Sequence, residues 1–303
     1  MILTITLNMA LDVTYHVETF EHGHTTRVGK VSRRAGGKGV NVARVLHELG
    51  HDVLVSGLAG GFTGRAARAE LRAAGLRDEL IEIDGQSRLT LVVVDREGSA
   101  TGFWEPGPVV AAPEWQAALR RCSELAASAS VVVLSGSLPA GVPADAYAQL
   151  VAAATEGGVP ALLDADGEAL ALGATAGPAV VKVNASELAS ATGEHEVQAG
   201  ARALRRAGAR TVVVTDGAAG LTCFADQGVL HAAAPEVLGG NPTGAGDAVS
   251  AALAAGMVAG VPWPERLAEA AALSAAAVSA PQAGSFDPDV YRQLRTTVQA
   301  VAV

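Results

Sequence analysis

Residues 131–134 read VVVL, and three further short apolar runs follow: ALL at 161–163, VVKV at 180–183 and TVVVT at 211–215. Ala-rich stretches typical of helices separate these runs. Strands that are buried on both faces of a parallel sheet are apolar throughout, and helices usually connect them. This part of the chain therefore predicts strand–helix–strand units, which places the protein in the α/β class with a mostly parallel sheet.

The beginning of the chain fits the same fold but contains two exceptions. Residues 2–7 (ILTITL) have the pattern of a strand, and apolar residues from 42 to 49 follow helical spacing up to Gly50. Residues 13–34 and 88–104 look like hairpins, either a small sheet that closes over a ligand or pairs with another subunit, or mere decorations. We therefore predict a core of residues 1–12, 35–87 and 105–303, and a lid of residues 13–34 and 88–104.

Composition limits the class of partner. The 303 residues carry a formal net charge of -9 and a pI near 5.3, whereas nucleic-acid-binding proteins need a basic surface. A phosphorylated small molecule can still bind where a few cations and backbone N–H groups converge. Two cysteines are too few for a disulfide scaffold. No secretory leader or membrane span is recognisable, so we expect a cytoplasmic protein with neither nucleic acid nor membrane as partner.

Residues 241–247 (NPTGAGD) form a glycine-rich segment that leads into an Ala-rich helical run. The free N–H groups at a helix start attract anions, and small residues let a phosphate come close. Asp247 is then either a catalytic base or the N-cap of the helix. The segment lacks the third glycine of a dinucleotide fingerprint, and residues 36–39 (GGKG) lack the Ser or Thr of a P-loop. Both familiar nucleotide motifs are therefore excluded.

Lys38 lies in this second glycine-rich segment, at the predicted start of the helix that ends near Gly50. Its ammonium group can pair with a phosphate there. A solvated turn lysine is the alternative, and for an isolated GGKG it is the better one. The motif becomes specific only in combination with others.

Four motifs in this order resemble the ribokinase-like phosphofructokinase B family of carbohydrate kinases. They are residues 6–12 (TLNMALD), the GGKGVNVARVL run from Gly36, residues 135–139 (SGSLP) and the TGAGD run from Thr243. The resemblance covers essentially the whole chain and is greatest to 1-phosphofructokinases and tagatose-6-phosphate kinases. It implies a three-layer α/β/α core and a small β lid that covers the sugar and forms the contact of a homodimer.

The resemblance also implies roles at the phosphoryl-transfer and acceptor sites. Asp247 takes the proton from the acceptor hydroxyl, and the backbone amides of the glycine loop stabilise the transferring phosphoryl group, as positioning and electrostatic catalysis require. The amides are those of Gly244, Ala245 and Gly246. The implied acceptor residues are Asp12 and Asn41 for the sugar hydroxyls, Gly37 beside them, Lys38 and Arg88 for the substrate's own phosphate, and Arg27, which either adds a phosphate contact across a dimer or is simply exposed.

An ATP site with Mg²⁺ follows from the same resemblance, and a requirement for K⁺ stays open. Residues 180–184 and Glu187 match a motif near the ATP phosphates, in which Glu187 holds the metal through water. Residues 215–220 match the nucleotide-binding turn. The implied nucleotide-binding residues are Lys182, Asn184, Thr215, Gly217, Gly220 and Thr243. Asp164, at another strand end, is either a ligand-site residue or a cap or surface turn.

Three positions depart from the family pattern. Val183 and Met9 each stand where proline is usual, and Asn241-Pro242 precedes the TGAGD run. None of these departures removes an acid, a base or a phosphate donor. We therefore expect them to affect loop rigidity and substrate range more than activity.

The sequence thus predicts an ATP-dependent phosphosugar kinase that converts fructose 1-phosphate to fructose 1,6-bisphosphate. Tagatose 6-phosphate and fructose 6-phosphate are alternative acceptors. A kinase for an unphosphorylated sugar or nucleoside is less favoured, because Lys38 and Arg88 would have no anion to bind. A non-catalytic sugar-phosphate sensor is the alternative of another class, and Asp247 with its intact glycine loop argues against it.

Overall fold

The computed structural model describes residues 1–235, 240 and 242–303. The strands are β1 (Ile2–Thr6), β2 (Ala10–His16), β3 (Lys30–Gly36), β4 (Val53–Gly60), β5 (Arg77–Ile83), β6 (Arg88–Val94), β7 (Ala100–Trp104), β8 (Val131–Ser135), β9 (Ala161–Asp164), β10 (Val180–Asn184), β11 (Val212–Thr215), β12 (Leu221–Ala225), β13 (Gly228–Ala232) and β14 (Ala300–Ala302). The helices are α1 (Lys38–Glu48), α2 (Gly61–Ala73), α3 (Ala112–Ala126), α4 (Ala146–Glu156), α5 (Gly167–Thr175), α6 (Ala185–Thr192), α7 (Val197–Ala207), α8 (Ala245–Val258), α9 (Trp263–Val278) and α10 (Pro288–Leu294). Across the described ranges, no helix combines the length and apolar character needed to cross a bilayer.

The large sheet has the strand order β14-β13-β12-β11-β10-β9-β8-β1-β4-β5. All neighbouring strands from β11 to β5 are parallel. The strands β12, β13 and β14 extend the sheet with antiparallel pairs. The predicted α/β class with a mostly parallel sheet is therefore confirmed, and the antiparallel edge is an addition that the sequence pattern did not indicate.

Two layers of helices cover the large sheet. Along β8, Val131 and Val133 belong to one buried cluster with α1, α2, α8 and α9. Val132 and Leu134 belong to a second buried cluster with α3 to α7. Because alternate side chains enter two separate apolar layers, the strand is apolar at every position. The three-layer α/β/α architecture is thereby confirmed.

A second sheet, which we call the small sheet, has the order β3-β2-β6-β7. The pairs β2–β3 and β6–β7 are antiparallel, so both predicted hairpins are confirmed, and β2 pairs with β6 in parallel. Leu11 and Val13 on β2 join the buried cluster that contains α2. The residue between them, Asp12, points to the opposite face, where Arg34 and Thr90 are its cross-strand neighbours.

The carboxyl ends of three adjacent parallel strands carry polar side chains. Asp164, Asn184 and Thr215 are the last residues of β9, β10 and β11. Ligands in open α/β sheets bind at this edge, because loops from neighbouring strands open a crevice there. The fold thus places residues from distant parts of the sequence around one crevice.

Candidate active site

Asp247 lies in the first turn of α8, and Gly244 is the N-cap residue of that helix. Gly244 has a φ of 90°, in the left-handed region that favours glycine. The Asp247 side chain is buried, with a relative exposure of 7%. The alternative prediction that Asp247 caps the helix is wrong, because the cap lies three residues earlier. Its carboxylate is therefore available for another role.

Asn41 holds the Asp247 carboxylate from helix α1, since its Nδ2 donates a hydrogen bond to Asp247 Oδ2 at 2.8 Å. Burial, together with the negative charge of Asp164, raises the pKa of Asp247 to about 7. The nearby lysines and the Asn41 hydrogen bond act in the opposite direction but do not prevail. A carboxyl group that titrates near neutrality can take up a proton from a substrate under physiological conditions.

Asp164 is fully buried and receives three side-chain donors. Lys182 Nζ lies 3.0 Å from its Oδ2 and Lys38 Nζ lies 3.4 Å from its Oδ1. Ser250 Oγ, one turn along α8 from Asp247, donates to Oδ2 at 2.8 Å. Burial alone would raise the pKa of Asp164, but the two lysines and these hydrogen bonds outweigh it, so the pKa is lowered and the group is ionised. The surface-turn alternative for Asp164 is therefore wrong.

Lys182 brings a positive charge beneath the glycine loop. Its side chain is almost fully buried, and a Cβ added at Gly246 would lie 2.9 Å from Lys182 Nζ. Any side chain at position 246 would therefore push this ammonium group away from the loop. The loop amides and the ammonium together form a positive environment that suits an anionic phosphoryl group.

Lys38 bridges two carboxylates, with its Nζ 3.0 Å from Glu187 Oε1 and 3.4 Å from Asp164 Oδ1. Burial lowers the pKa of Lys38, but the two carboxylates more than compensate, so its pKa is raised and it stays charged. The prediction that Lys38 binds the acceptor's phosphate stays untested. In this structure it lies instead beside the residues predicted for the nucleotide and metal.

Asn184 and Glu187 form the capping box at the start of α6. Asn184 Oδ1 accepts a hydrogen bond from the Glu187 amide at 2.7 Å, and the Asn184 amide donates to Glu187 Oε2 at 3.0 Å. The box satisfies two free amides of the helix end. It also fixes Glu187 with its other oxygen, Oε1, toward Lys38. The predicted metal residue is thus preoriented on the crevice side of the helix.

The predicted nucleotide turn lies between β11 and β12 as a single 3₁₀ turn, Gly217–Ala219. A Cβ at Gly217 would meet nothing within 4 Å, whereas one at Gly220 would collide with the backbone of residues 232–234. Gly217 therefore presents open backbone to a ligand, and Gly220 allows close packing. Thr215 ends β11 at the same edge of the sheet, and Thr243 directly precedes Gly244 in the glycine loop. Asn241, one of the departures from the family pattern, lies outside the described residues.

The predicted acceptor residues are split between the core and the small sheet. Burial raises the pKa of Asp12, and a hydrogen bond with Thr90 and the charge of Arg88 oppose that shift. Arg88 Nε donates to the backbone oxygen of Asn8 at 3.1 Å. Gly37 is the N-cap of α1 with a φ of 109°, and its missing side chain leaves room for Thr6. Asp12 and Arg88 lie on one face of the small sheet and give that face polar and cationic character.

Arg27, unlike Asp12 and Arg88, does not lie on this face of the small sheet. It lies on the exposed loop between β2 and β3. That loop leaves β2 at His16, at the end of the small sheet away from Asp12. Its predicted phosphate contact across a dimer stays a prediction.

Sequence reasoning missed three residues. They are Ser250, which donates to Asp164, and the contacting pair Arg34 and Gln282. Ser250 was recognisable in principle, because it lies three positions after Asp247 on the same helix face. Arg34 and Gln282 carried no such signal. They contact each other across 248 positions of sequence, with Arg34 Nη1 2.7 Å from Gln282 Oε1.

Comparison with known proteins agrees with this geometry. The model of the pfkB family carbohydrate kinases matches residues 5–289. A tagatose-6-phosphate kinase of Staphylococcus epidermidis is 30% identical over 312 aligned positions, which cover 100% of both chains. Among solved structures, phosphofructokinase-2 from Escherichia coli in complex with potassium has a TM-score of 0.92 at 26% identity, covering 97% of this chain and 98% of its own.

A putative phosphofructokinase from Staphylococcus aureus has a TM-score of 0.86 at 26% identity, with 100% of this chain and 99% of that chain covered. A carbohydrate kinase transfers a phosphoryl group to a hydroxyl acceptor, and a buried carboxylate beside a glycine-rich helix start is compatible with that reaction. The family match spans nearly the whole chain and includes every element of the crevice. The chain therefore belongs to the pfkB family of carbohydrate kinases.

Proposed function

We propose that this chain is an ATP-dependent phosphosugar kinase whose preferred acceptor is fructose 1-phosphate, giving fructose 1,6-bisphosphate. The observation that carries the proposal is Asp247, a buried carboxylate held by Asn41 at the start of α8. It lies beside a glycine loop with an ammonium group beneath it. One general base next to one anion-binding loop is the minimum that phosphoryl transfer needs.

In the proposed reaction, the Asp247 carboxylate accepts the proton of the acceptor hydroxyl. The hydroxyl oxygen bonds to the γ-phosphorus of the substrate ATP, and the bond from that phosphorus to the β–γ bridging oxygen breaks, which releases ADP. The amides of Gly244 and Gly246 face the negative charge of the transferring group, whereas the Ala245 amide, which donates to the backbone oxygen of Pro242 at 3.1 Å in this structure, would have to leave that bond to do so. Asn41 keeps the carboxylate aimed at the acceptor, so it orients the base.

The carboxylates of Asp164 and Glu187 fit a magnesium ion. Both already share one cation, the ammonium group of Lys38, and carboxylate oxygens are the ligands that Mg²⁺ prefers. We propose that these two residues hold the ion, with Glu187 acting through water. Bound Mg²⁺ would neutralise part of the phosphate charge of the nucleotide. Lys38 would then be free to turn toward a phosphate of either substrate.

Arg88 and Asp12 support a phosphorylated acceptor. Arg88 makes no ion pair within 4.0 Å in the part of the chain that the structure describes. Its charge is therefore available to an anion from outside. Asp12, on the same face of the small sheet, can accept hydrogen bonds from sugar hydroxyls. An unphosphorylated sugar would leave the Arg88 guanidinium without an anionic partner.

Tagatose 6-phosphate is the second candidate acceptor, because a curated relative with that activity in its name aligns with the entire chain. The isomers differ in which hydroxyls and phosphate oxygens meet the site. One unpaired polar group costs about 1–3 kcal/mol, or roughly ten- to a hundredfold in catalytic efficiency. The preference for fructose 1-phosphate rests on the motif resemblance of residues 10–12 (ALD), 36–46 (GGKGVNVARVL) and 105–108 (EPGP) to 1-phosphofructokinases.

The small sheet is proposed to act as the lid over the acceptor and as the contact of a homodimer. Val28, Val31, Phe103 and Trp104 are exposed apolar residues on it or on its connecting loop. Apolar side chains grouped on one element favour association of subunits. We retain the cytoplasm as the proposed compartment.

The test is a coupled assay of ADP release with fructose 1-phosphate, tagatose 6-phosphate, fructose 6-phosphate and free fructose at saturating Mg-ATP. We expect the highest kcat/KM with fructose 1-phosphate and little turnover of fructose. A higher value for either other phosphosugar would overturn the choice of isomer alone. Ligand binding without turnover of any sugar would favour the sensor instead.

A further inference from the structure

Arg34 connects the small sheet to the core. It lies on β3 directly across from Asp12, and its side chain extends away from the sheet to the segment that follows α9. Its Nη1 donates to Gln282 Oε1 at 2.7 Å and to the backbone oxygen of Ala283 at 3.2 Å. Arg34 thus reaches from the element proposed as the lid to residues 282–284.

Residues 282–284 in turn contact the catalytic groups. A Cβ added at Gly244, the N-cap of α8, would lie 2.9 Å from the Cα of Ala283. A Cβ added at Gly284 would lie 3.0 Å from Oδ1 of Asn41, the residue that holds Asp247. The segment is therefore packed against both the glycine loop and the support of the base. A shift of residues 282–284 would therefore displace both the glycine loop and Asn41.

Among residues 1–235, 240 and 242–303, Arg34 has no ion pair within 4.0 Å. Its hydrogen bonds to Gln282 and Ala283 go to neutral oxygens. Burial, followed by the charge of Arg44, lowers its pKa, while Glu70 and Asp12 raise it. A charged donor makes stronger hydrogen bonds to neutral acceptors than a neutral donor does. Arg34 is thus suited to hold the two elements together while the small sheet is in place.

We propose that Arg34 is a positioning residue for phosphoryl transfer, which ties the small sheet to residues 282–284 and so holds the glycine loop and Asn41 in their working arrangement. The proposal rests on the proposed kinase function. If Arg34 has this role, phosphoryl transfer depends on the position of the small sheet over the acceptor. Hydrolysis of ATP by water alone is disfavoured when the sheet is displaced, because the base and the anion-binding amides are then less well aligned.

A different role for Arg34 would be to bind the acceptor's phosphate together with Arg88. The two roles predict different kinetics. A positioning residue acts on the transfer step and lowers kcat, whereas a phosphate ligand acts on binding and raises the KM of the acceptor. The contact with Gln282 provides the second discriminating observation, since a phosphate ligand has no need of it.

The experiment compares Arg34→Met, Gln282→Leu and the double variant, with Arg33→Met as the matched control. Arg33 is the preceding residue on β3, is exposed and points to the other face. We expect kcat to fall about tenfold in Arg34→Met, with both KM values within about twofold, because loss of hydrogen bonds from a charged donor is of this size. Gln282→Leu should add nothing in the Arg34→Met background. Arg34→Lys, which keeps a charged donor, should recover part of kcat.

Hydrogen exchange provides a readout that does not need turnover. The amides of residues 243–247 and 280–286 should exchange faster in Arg34→Met and Gln282→Leu than in Arg33→Met. Unchanged exchange, additive effects of the two substitutions, or a raised acceptor KM at constant kcat would each overturn the proposal. Absence of turnover of every phosphosugar by the unaltered protein would instead overturn the proposed function, and exchange would still test the Arg34 contact.

Discussion

Asp247 has to satisfy two opposing demands as a single residue. Burial is needed to exclude water from the transfer step, yet burial of a carboxylate favours its protonated form. The outcome is a pKa raised to about 7, with Asn41 and two lysines limiting the shift. At neutral pH, ionised and protonated forms of the Asp247 carboxyl group therefore coexist.

The replacement Asp247→Asn tests the base. We expect turnover to fall roughly 100- to 10,000-fold, the range for loss of a positioned general base, because the amide cannot accept the proton. Steady-state kinetics and the thermal transition of the purified variant should be measured together. A variant that folds normally and keeps more than about a third of its turnover would leave Asp247 without a catalytic role.

The pH dependence follows from the same pKa. Because only the ionised form accepts a proton, kcat/KM should rise with pH through about 7 and level off above it. A folded pKa above the unfolded one means that this group's contribution to folding is fully present at low pH and is lost as pH rises through about 7. Because this loss begins above the ordinary carboxyl pKa of 3.8, Asp247→Asn should already raise the Tm at pH 5 and should raise it more at pH 8. An acid limb near pH 4 would contradict the raised pKa.

Replacement of Arg88 or Lys38 by alanine should affect the KM values of the two substrates differently. Arg88→Ala should raise the KM of the phosphosugar much more than that of ATP, since it removes a cation from the acceptor side. Lys38 lies between Asp164 and Glu187, so Lys38→Ala should affect the KM of Mg-ATP as well. The measurement is the KM for the phosphosugar and the KM for Mg-ATP in each of the two variants. Equal effects of Arg88→Ala on both substrates would place this arginine elsewhere.

At the scale of elements, the small sheet depends on close contact between β2 and β3. A Cβ at Gly36 would overlap the carboxylate of Asp12, whereas one at Gly29 would only touch the His16 carbonyl at 3.5 Å. Gly36→Ala should displace Asp12 and raise the acceptor KM by about tenfold, as expected for loss of one hydrogen-bonding partner. Gly29→Ala is the control from the same hairpin. Equal acceptor KM values in both variants would contradict a sugar contact by Asp12.

Sequence patterns predicted some elements well, for physical reasons that can be named. The strands β8 to β11 are buried on both faces and are therefore continuously apolar, which makes them easy to recognise. The strand β13 is partly exposed and β14 has three residues, so neither had a distinct pattern. The proposed base Asp247 was recognisable because glycine loops are local in sequence. The contact between Arg34 and Gln282 was not, because only the tertiary fold brings these two residues together.

At the scale of the whole molecule, exposed Phe103 and Trp104 on β7 support the proposed homodimer. Replacement of both by serine should shift the protein to the monomer, measured by sedimentation at matched concentration, because an apolar contact is lost. Phe62→Ser is the control, since Phe62 is more exposed than either residue but lies on α2. An unaltered oligomer, or a protein that is monomeric from the start, would contradict the lid contact.

The parallel pairing of β2 with β6 has a consequence for biosynthesis. The segments α1, β4, α2 and β5 all lie between these two strands in the sequence, so the pair closes a long loop and forms late. While the nascent chain leaves the ribosome, β2 presents an unpaired edge until residues 88–94 have been made. A second nascent chain can supply its own β6 to that edge, and exchange of strands between copies is the misassembly to which this topology is most exposed.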